Sequence, residues 1–376
     1  MTDEERLARL RLARTAGLGE ATARALIARE GSARAALAML PRTRRGRSLA
    51  VPPPKAAEAE LAALARLGAR LLVFGDPDYP PLLAALPDAP LALAVAGEVA
   101  VLSARAVAVV GARNASLAGR QIATELARGL AAAGVVVVSG LARGIDAAAH
   151  EGALDAGGLT VAVVATGLDC PYPPEHAGLQ ARIAACGAVL TEAPPGTAPH
   201  RTLFPRRNRI IAGLALGVVV VEAVERSGSL ITARLAADEG REVFAVPGSP
   251  LEPRARGPNG LIRAGAHLVE TVEDILSALP ARTMSAPRQR SLLLEESFSA
   301  PAGSGRHAAA VGAAPAEVAE AINTLSTLLS TTPVTVDELL RRCPCSPSAV
   351  AAALLELDLE GRIERLPGNR VALSAR

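Results

Sequence analysis

Four arginines, one asparagine and one phenylalanine lie within nine consecutive residues of this sequence, at Arg201, Phe204, Arg206, Arg207, Asn208 and Arg209. Guanidinium groups bind phosphate oxygens, and an aromatic ring can stack on a base. The segment contains no acidic residue, whereas a solvated charge run normally mixes both signs. The pattern predicts contact with single-stranded nucleic acid; a basic helix start with a buried phenylalanine is the alternative. On a helix, Arg206 and Arg209 share one face and Arg207 points elsewhere.

Three other segments place glycine beside serine or arginine where a candidate strand gives way to a candidate helix. Their predicted anion-binding residues are Gly111 and Arg113 in the first segment, Ser139, Gly140, Arg143 and Gly144 in the second, and Ser227, Gly228 and Ser229 in the third. Backbone N–H groups at such turns can face a phosphate. Because ligands of open α/β sheets bind at the carboxyl ends of the strands, we expect these segments to form one anion-binding shelf. A plain strand–helix turn is the alternative for the first segment.

Two carboxylates, Glu222 and Glu225, lie near the third of these segments. An acid–base pair is one interpretation, and hydrogen bonding to neighbouring arginines is the favoured one. Asp146 either caps the helix that follows the second segment or takes part in binding. The sequence has no GxSxG, Walker A or GxGxxG motif, and its five histidines are scattered. We therefore predict a binding protein rather than an enzyme, with no catalytic residue, no cofactor and no metal.

The elements that would position these residues alternate along the chain. Short apolar runs predict strands at Val107–Val110, Val135–Val138, Thr160–Val164, Ala188–Leu190, Val218–Val221, Val243–Val246 and His267–Val269. Helical patterns separate most of them, which is typical of βαβ units with a parallel sheet. Uniformly apolar runs such as GVVVV fit a sheet that is covered on both faces. We predict an α/β fold in which residues 71–280 form an extended Rossmann-like domain.

The flanking segments predict two smaller domains. Residues 1–70 predict a helical domain of the SAM-like or helix–hairpin–helix type, in which Gly17-Leu18-Gly19 is either a DNA-facing hairpin or an ordinary helical turn. Residues 281–313 show no apolar period and predict a flexible linker. Residues 314–376 predict a winged-helix domain. The helix that would read bases in such a domain has no arginine or lysine here, which favours a protein-contact or auxiliary role.

The composition limits the class of protein. The chain has 376 residues, of which 50% are hydrophobic and 20% are charged, as is typical of a globular protein. Its net charge is only +3, so a nucleic-acid-binding surface must come from local clustering of arginine. The four cysteines form no CxxC pair, the N-terminus is charged, and the apolar runs are short. These features predict a cytoplasmic protein with reduced thiols, no signal peptide and no membrane span.

Five motifs follow one another in this sequence: GARNAS, SGLARGID, FPRRNRIIAGL, EAVERSGSLITA and VFAVPGS. Together with the lead-in GDPDYPPLLAALPDAPLAL, they resemble the DNA-processing protein A family, DprA, which is also called Smf. The resemblance covers residues 70–280, and the flanking segments resemble additional domains of many members. It implies a homodimeric protein that protects incoming single-stranded DNA during natural transformation. It also implies that the protein loads the RecA recombinase onto that DNA and needs no catalytic activity.

The resemblance further implies a DNA pocket formed by Gly111, Arg113, Arg143, Gly144, Arg201, Phe204, Arg206, Arg207 and Arg209. Arg201 stands where a lysine is often seen, which keeps the charge. Ala112 stands where many members have serine, which leaves Arg113 as the main contact of its loop. A nucleotide-cleaving enzyme on a related Rossmann-like fold, with Glu222 or Glu225 as the acid or base, is the alternative function. The sequence assigns no residues to the RecA-contacting or dimer surfaces.

Overall fold

The computed structural model of the chain describes residues 1–40, 43–44, 47–280, 315–330, 332–366 and 369–374. These residues form two compact units. One unit contains residues 1–14 and 52–280, and the other contains the described residues of 15–51 and those from 315 onward. The predicted linker at 281–313 lies outside the described residues. The helices of the first 70 residues are divided between the two units, and the predicted domain boundaries stay predictions.

The described strands are β1 Thr43–Arg44, β2 Arg47–Ser48, β3 Ala69–Val73, β4 Ala92–Gly97, β5 Ala106–Val110, β6 Val136–Ser139, β7 Thr160–Val163, β8 Ala188–Thr191, β9 Gly217–Val220, β10 Glu242–Ala245, β11 His267–Leu268, β12 Val334–Thr335, β13 Ile363–Leu366 and β14 Arg370–Leu373. The described α-helices are α1 Asp3–Ala13, α2 Glu20–Glu30, α3 Ala33–Met39, α4 Pro54–Arg66, α5 Pro81–Ala84, α6 Leu117–Ala132, α7 Ile145–Asp155, α8 Ala177–Cys186, α9 Leu203–Leu214, α10 Gly228–Asp238, α11 Arg256–Arg263, α12 Val272–Ala278, α13 Pro315–Leu328, α14 Val336–Arg342 and α15 Pro347–Leu359. All seven predicted strands are confirmed to within one residue at either end.

The first unit is built on a nine-stranded sheet with the strand order β11-β10-β9-β5-β6-β7-β8-β4-β3. Strands β5 to β11 pair in parallel, which confirms the predicted Rossmann-like α/β fold. From β5 the chain proceeds to β6 and β7 on one side, and β9, β10 and β11 lie on the other side. The strand order therefore reverses between β5 and β9. Open α/β sheets bind ligands at such a switch point, outside the carboxyl ends of the strands.

One edge of this sheet departs from the predicted parallel arrangement. Strand β4 pairs antiparallel with β8 on one side and with β3 on the other. Strands β3 and β4, whose sequences are ARLLV and ALAVAG, were not predicted from the sequence. Alanine and leucine dominate both strands and are strong helix formers, so the composition of these segments favours a helix over a strand.

Valine-rich strands form the core of the sheet because both of its faces are covered. Alternate residues of β5 point to opposite faces, so that Ala108 and Val110 join one apolar cluster while Val107 and Val109 join another. All five residues of β5 are buried. This burial fixes the carboxyl end of the strand, and with it the loop that starts at Gly111.

The second unit contains the predicted winged helix. Helices α13, α14 and α15 accompany a three-stranded sheet of order β12-β14-β13, whose pairs are all antiparallel. The short strand β12 was not predicted from the sequence. It pairs with β14 through Val334 and Thr335, and Thr335 also caps α14 by accepting a hydrogen bond from the backbone N–H of Glu338.

Helix α15 is buried on two faces within this unit. Ala349, Val350, Ala353, Leu354 and Leu357 pack into the winged-helix core. On another face, the buried Asp358 carboxylate accepts a hydrogen bond from the hydroxyl of Thr22 in α2. Because α2 and α15 pack together, this helix serves as a packing element of the unit. That role agrees with its lack of arginine and lysine.

Replacing Asp358 with alanine is expected to loosen the contact between α2 and α15. The substitution removes the acceptor of the Thr22 hydroxyl and a carboxylate whose Oδ2 lies 3.5 Å from Nε of Arg365. Losing such a buried polar contact costs about 3 kcal/mol, which corresponds to roughly hundred-fold faster hydrogen exchange in peptides of α2. Hydrogen exchange followed by mass spectrometry measures the exchange rates of these peptides in the wild type and the variant. Glu360→Ala is the control, since Glu360 is exposed and pairs only with Arg362 among the contacts described for it; equal exchange in both variants would contradict the assignment.

Candidate nucleic-acid interface

A cleft of about 730 Å³ lies in the first unit, at the switch point between β5 and β9. The loops after β5, β6, β9 and β10 and the starts of α7, α9 and α10 form its walls. Eight of the fifteen predicted site residues line it: Gly111, Arg113, Phe204, Arg207, Asn208, Ser227, Gly228 and Ser229. The structure therefore brings the first segment, the third segment and part of the arginine-rich segment to one place.

Two glycines allow the loops after β5 and β6 to pack against each other. A Cβ atom at Gly144 would lie 2.3 Å from the carbonyl oxygen of Ala112, and its φ of +76° favours glycine. A Cβ atom at Gly111 would lie 2.5 Å from Cγ1 of Ile145. The backbone N–H of Ile145 donates to the Ala112 carbonyl over 3.2 Å. These glycines thus shape the cleft through close packing.

Arg113 and Phe204 form a stacked pair in the cleft. The guanidinium carbon of Arg113 lies 4.7 Å from the centre of the Phe204 ring. Tyr172 packs against the same ring, with 5.6 Å between ring centres and an interplanar angle of 57°. Arg113 is exposed, and Phe204 is partly buried. A cation held over an aromatic ring in this way is oriented before a ligand arrives.

The start of helix α10 forms another wall of the cleft. Ser227 is the N-cap residue, and its hydroxyl lies 2.7 Å from the hydroxyl of Ser229. The side-chain amide of Asn208, in α9, donates to the carbonyl of Gly228 over 3.2 Å. Gly228 is exposed, and a Cβ atom there would meet only open space. The first turn of α10 therefore borders the cleft, where the N–H of Ser229 donates to the Ser227 hydroxyl oxygen over 3.4 Å, and a helix N-terminus in such a place suits an anion.

Arg207 lies at the bottom of the cleft and is only 6% exposed. Its Nη1 donates to the carbonyl oxygens of Gly140 and Val163, each over 2.5 Å. Burial lowers the pKa of Arg207 to about 10, so the guanidinium keeps its charge at neutral pH. Burial raises the pKa of the neighbouring Asp146 carboxyl, and the charge of Arg207 opposes that shift. Arg207 thus joins α9 to the ends of β6 and β7.

The other arginines of this segment lie outside the cleft lining. Arg206 and Arg209 share one helix face, as predicted, and both pair with Glu192. Arg206 is 59% exposed in its side chain, whereas Arg209 is 10% exposed and also donates to the carbonyl of Asp88 over 2.5 Å. Arg201 is exposed just before α9. Glu192, which lies outside the arginine-rich segment, therefore forms ion pairs with two of the four arginines of that segment.

The second predicted segment contributes mainly structure around the cleft. Ser139 is buried, and its hydroxyl donates to the Val109 carbonyl over 2.6 Å. Gly140 leaves no room for a side chain, because a Cβ atom would lie 2.1 Å from Nη1 of Arg207. Arg143 is exposed and pairs with Glu175 over 2.5 Å; this hydrogen bond raises the pKa of Arg143 and lowers that of Glu175. The DNA-binding roles of these residues stay predictions.

Two expectations for carboxylates are wrong in their detail. Among the described residues, the hydrogen-bond partner of Glu222 is Ser116 and not an arginine: the carboxylate accepts from the backbone N–H of Ser116 over 2.9 Å and from the Ser116 hydroxyl over 2.5 Å. Asp146 is not the N-cap of α7, a position held by Gly144; it lies in the first turn and accepts from the N–H of Ala142 over 3.4 Å. Glu225 is exposed.

Sequence reasoning missed Arg254, which lines the cleft from the loop after β10. Its Nε donates to the Asn114 carbonyl over 2.8 Å, and its Nη1 pairs with Glu252 over 3.1 Å. The available signal was the pair of arginines in PRAR after a predicted strand. Because β10 lies beside β9, the loop after β10 lies at the same carboxyl edge of the sheet as the other binding loops. Ligands of open α/β sheets bind at that edge.

Metal-ligand clusters and membrane-spanning helices are absent from the described part of the chain. Among those residues, no group of three or more histidine, cysteine, aspartate or glutamate side chains could hold a metal ion. None of the helices described there is long and apolar enough to cross a membrane.

The fold and the cleft define a Rossmann-like α/β protein with a cleft at the carboxyl edge of its parallel strands, joined to helical and winged-helix segments. The chain belongs to the family described as DNA recombination-mediator protein A, which matches residues 70–280. The DprA-like N-terminal HHH domain matches residues 3–63, and the DprA winged helix domain matches residues 308–369. The resemblance inferred from the five motifs is confirmed.

Several known proteins are similar to this chain. Protein Smf of Escherichia coli K12 is 39% identical over 322 residues, which cover 85% of this chain and 82% of that protein. The DNA processing protein DprA of Streptococcus pneumoniae R6 is 48% identical over 202 residues, covering 54% of this chain and 71% of that protein. The X-ray structure of Streptococcus pneumoniae DprA has a TM-score of 0.63 at 34% identity and covers 75% of this chain and 99% of that one.

A second solved structure concerns DNA processing protein A from Helicobacter pylori. It has a TM-score of 0.51 at 31% identity and covers 56% of this chain and 94% of that one. Its description refers to a single-stranded DNA binding mode of that protein.

Proposed function

We propose that this protein binds single-stranded DNA in the cleft at the carboxyl ends of β5 and β9 and does so without catalysing a reaction. The observation that carries the proposal is the meeting of three groups in one cleft: the start of α10, the Arg113–Phe204 pair, and Arg254. The first supplies backbone N–H groups for a phosphate, the second a charge beside an aromatic ring, and the third a further guanidinium. The Helicobacter pylori relative, described by its single-stranded DNA binding mode, supports the same choice of ligand.

The arrangement suits single-stranded DNA of any sequence. Phosphates would lie at the start of α10 and against Arg113 and Arg254, while a base stacks at the Arg113–Phe204 pair. Contacts to phosphates and ring faces do not distinguish bases, so sequence preference should be slight. Affinity should fall with salt, with a slope of about −2 in a plot of log affinity against log salt for about three neutralised phosphates.

We extend the proposal to the role of the protein once single-stranded DNA is bound. As a recombination mediator, the protein would protect incoming single-stranded DNA in the cytoplasm during natural transformation and load the RecA recombinase onto it, acting as a homodimer. The family description and the DprA relatives support this role.

The alternative, a nucleotide-cleaving enzyme, would use Glu222 or Glu225 as an acid or base. Glu222 is a poor candidate because both of its carboxylate oxygens accept hydrogen bonds from Ser116. Incubation with nucleoside monophosphates separates the two functions. We expect no free base. If the wild type releases base and Glu225→Gln does not, the protein is a nucleotide-cleaving enzyme and the binding proposal is wrong.

Replacing Gly228 with aspartate should weaken DNA binding about 10- to 100-fold at low salt. A side chain fits there without a clash, and aspartate is well tolerated in the first turn of a helix. Its carboxylate would stand where the phosphate is expected, which removes a charge-assisted contact of about 1.5–3 kcal/mol and adds repulsion. Fluorescence anisotropy of a labelled oligo-dT across a salt series measures the effect.

Two matched variants control this experiment. Gly228→Asn has nearly the same shape without the charge and should bind far better than Gly228→Asp. Gly178→Asp places the same charge in the first turn of α8, at an exposed glycine outside the cleft lining, and should bind like the wild type. Equal binding by wild type and Gly228→Asp would exclude the start of α10 as a phosphate site, and no binding by wild type would exclude the proposed function.

A further inference from the structure

The start of helix α6 already holds an anion, and that anion belongs to the protein. The carboxylate of Glu222 accepts hydrogen bonds from the N–H and the hydroxyl of Ser116, the N-cap residue of α6. The Ser116 hydroxyl oxygen in turn accepts from the N–H of Gly119 over 2.9 Å. A carboxylate at a helix N-terminus is stabilised by the unpaired N–H groups and by the helix dipole, as a phosphate would be.

The helix is shaped to admit this carboxylate. A Cβ atom at Gly119 would lie 2.4 Å from the carboxylate carbon of Glu222, so any other residue at 119 would displace the acid. Glu222 reaches α6 from the loop after β9, on the opposite side of the switch point. Its backbone also belongs to the wall of this region, since a Cβ atom at Gly111 would lie 3.0 Å from the Glu222 carbonyl oxygen.

The position that Glu222 occupies has a defined role in this class of sheet. Strand β5 is the central strand from which the order runs in both directions, so α6 is the helix that follows the first strand. In Rossmann domains that bind dinucleotides, the pyrophosphate lies at the N-terminus of that helix. Here the same helix end is occupied by a carboxylate, whereas the start of α10 remains open to the cleft.

We propose that Glu222 is a specificity-determining residue that takes the place of a ligand phosphate at the start of α6 and thereby excludes pyrophosphate-containing nucleotides. A pyrophosphate brought to this turn would meet a negative charge within hydrogen-bond distance of the N–H it needs. This inference depends on the geometry around Ser116 and not on the proposed binding of DNA.

The test removes the internal anion and asks whether an external one replaces it. Inorganic pyrophosphate is the probe, and its binding is measured by calorimetry at constant ionic strength in a Gly228→Asp background, which closes the start of α10. In that background Glu222→Ala should bind pyrophosphate at least about ten-fold more tightly than the protein that retains Glu222, the value of one charge-assisted contact. Sodium acetate should raise the melting temperature of Glu222→Ala above that in equimolar sodium chloride, because it restores the missing carboxylate, and should have no such effect when Glu222 is present.

A second variant guards against a folding defect. Glu222→Gln keeps an acceptor oxygen for Ser116 but loses the charge, so it should fold and bind pyrophosphate a few-fold more tightly than the parent. Equal affinity for pyrophosphate with glutamate, glutamine and alanine at position 222 would overturn the inference. All of these measurements are made without DNA, so they succeed or fail separately from the proposed function.

Discussion

Replacing Arg207 with alanine should lower the free energy of unfolding of the first unit by about 3–5 kcal/mol, the cost of breaking a buried charged contact. The guanidinium donates to the carbonyls of Gly140 and Val163, which follow β6 and end β7. Alanine would leave both carbonyls without this donor and would leave a cavity where the side chain was. It would also remove the positive charge that stabilises the buried Asp146 carboxylate.

Urea unfolding measures this difference. The only two tyrosines, Tyr79 and Tyr172, both lie in the first unit, so their fluorescence reports on that unit, with far-UV circular dichroism as the second signal. Arg206→Ala is the matched control, because that neighbouring arginine is 59% exposed and its single ion pair with Glu192 should contribute about 1 kcal/mol or less. Arg207→Lys keeps the charge without the planar fork and should fall between wild type and Arg207→Ala. Similar losses for Arg206→Ala and Arg207→Ala would contradict the structural role of Arg207.

This expectation changes how the arginine-rich segment is tested for DNA binding. A variant that removes Arg206, Arg207 and Arg209 together would combine lost stability with lost charge, since Arg207 and Arg209 are buried. Weak binding by such a variant would not locate the DNA. Substitutions at exposed positions of the cleft, such as Gly228 and Arg113, separate binding from folding.

The repetitive part of the fold could be predicted from the sequence because its signals are local. Valine-rich strands between helical segments gave β5 to β11, and the 3.6-residue helical period separated Arg207 from Arg206 and Arg209. The same period could not show which face is buried. That depends on Glu192 and on the ends of β6 and β7, which are brought to α9 only by folding.

The contacts missed from the sequence join residues that are far apart in the chain. Glu222 and Ser116 are separated by 106 residues, and Arg254 and Asn114 by 140. Each pair meets because β5, β9 and β10 follow one another across the sheet. No local sequence pattern predicts this strand order. The loops were therefore predictable as a group, while the partner of each side chain was not.

Arg113→Ala and Phe204→Ala should each weaken binding of oligo-dT about 10- to 100-fold, and the double variant should be weaker by less than the product of the two. The reason is that the Phe204 ring orients the Arg113 guanidinium, whose central carbon lies 4.7 Å from the ring centre. Once the ring is gone, the arginine is less well oriented, and removing it costs less. A coupling of about 1 kcal/mol is expected from such a pair.

The salt dependence separates the two contributions. Arg113→Ala should reduce the salt slope by about 0.7, the value for one phosphate of a single strand, whereas Phe204→Ala should leave the slope unchanged because a stacked base releases no counterion. Phe204→Tyr, which keeps the ring, should bind nearly as well as wild type. If the two losses multiply fully, the base displaces Arg113 from the ring instead of joining the pair. If Phe204→Ala binds like the wild type, the ring only packs against Tyr172, and the affinity of the cleft comes from charge and backbone N–H groups alone.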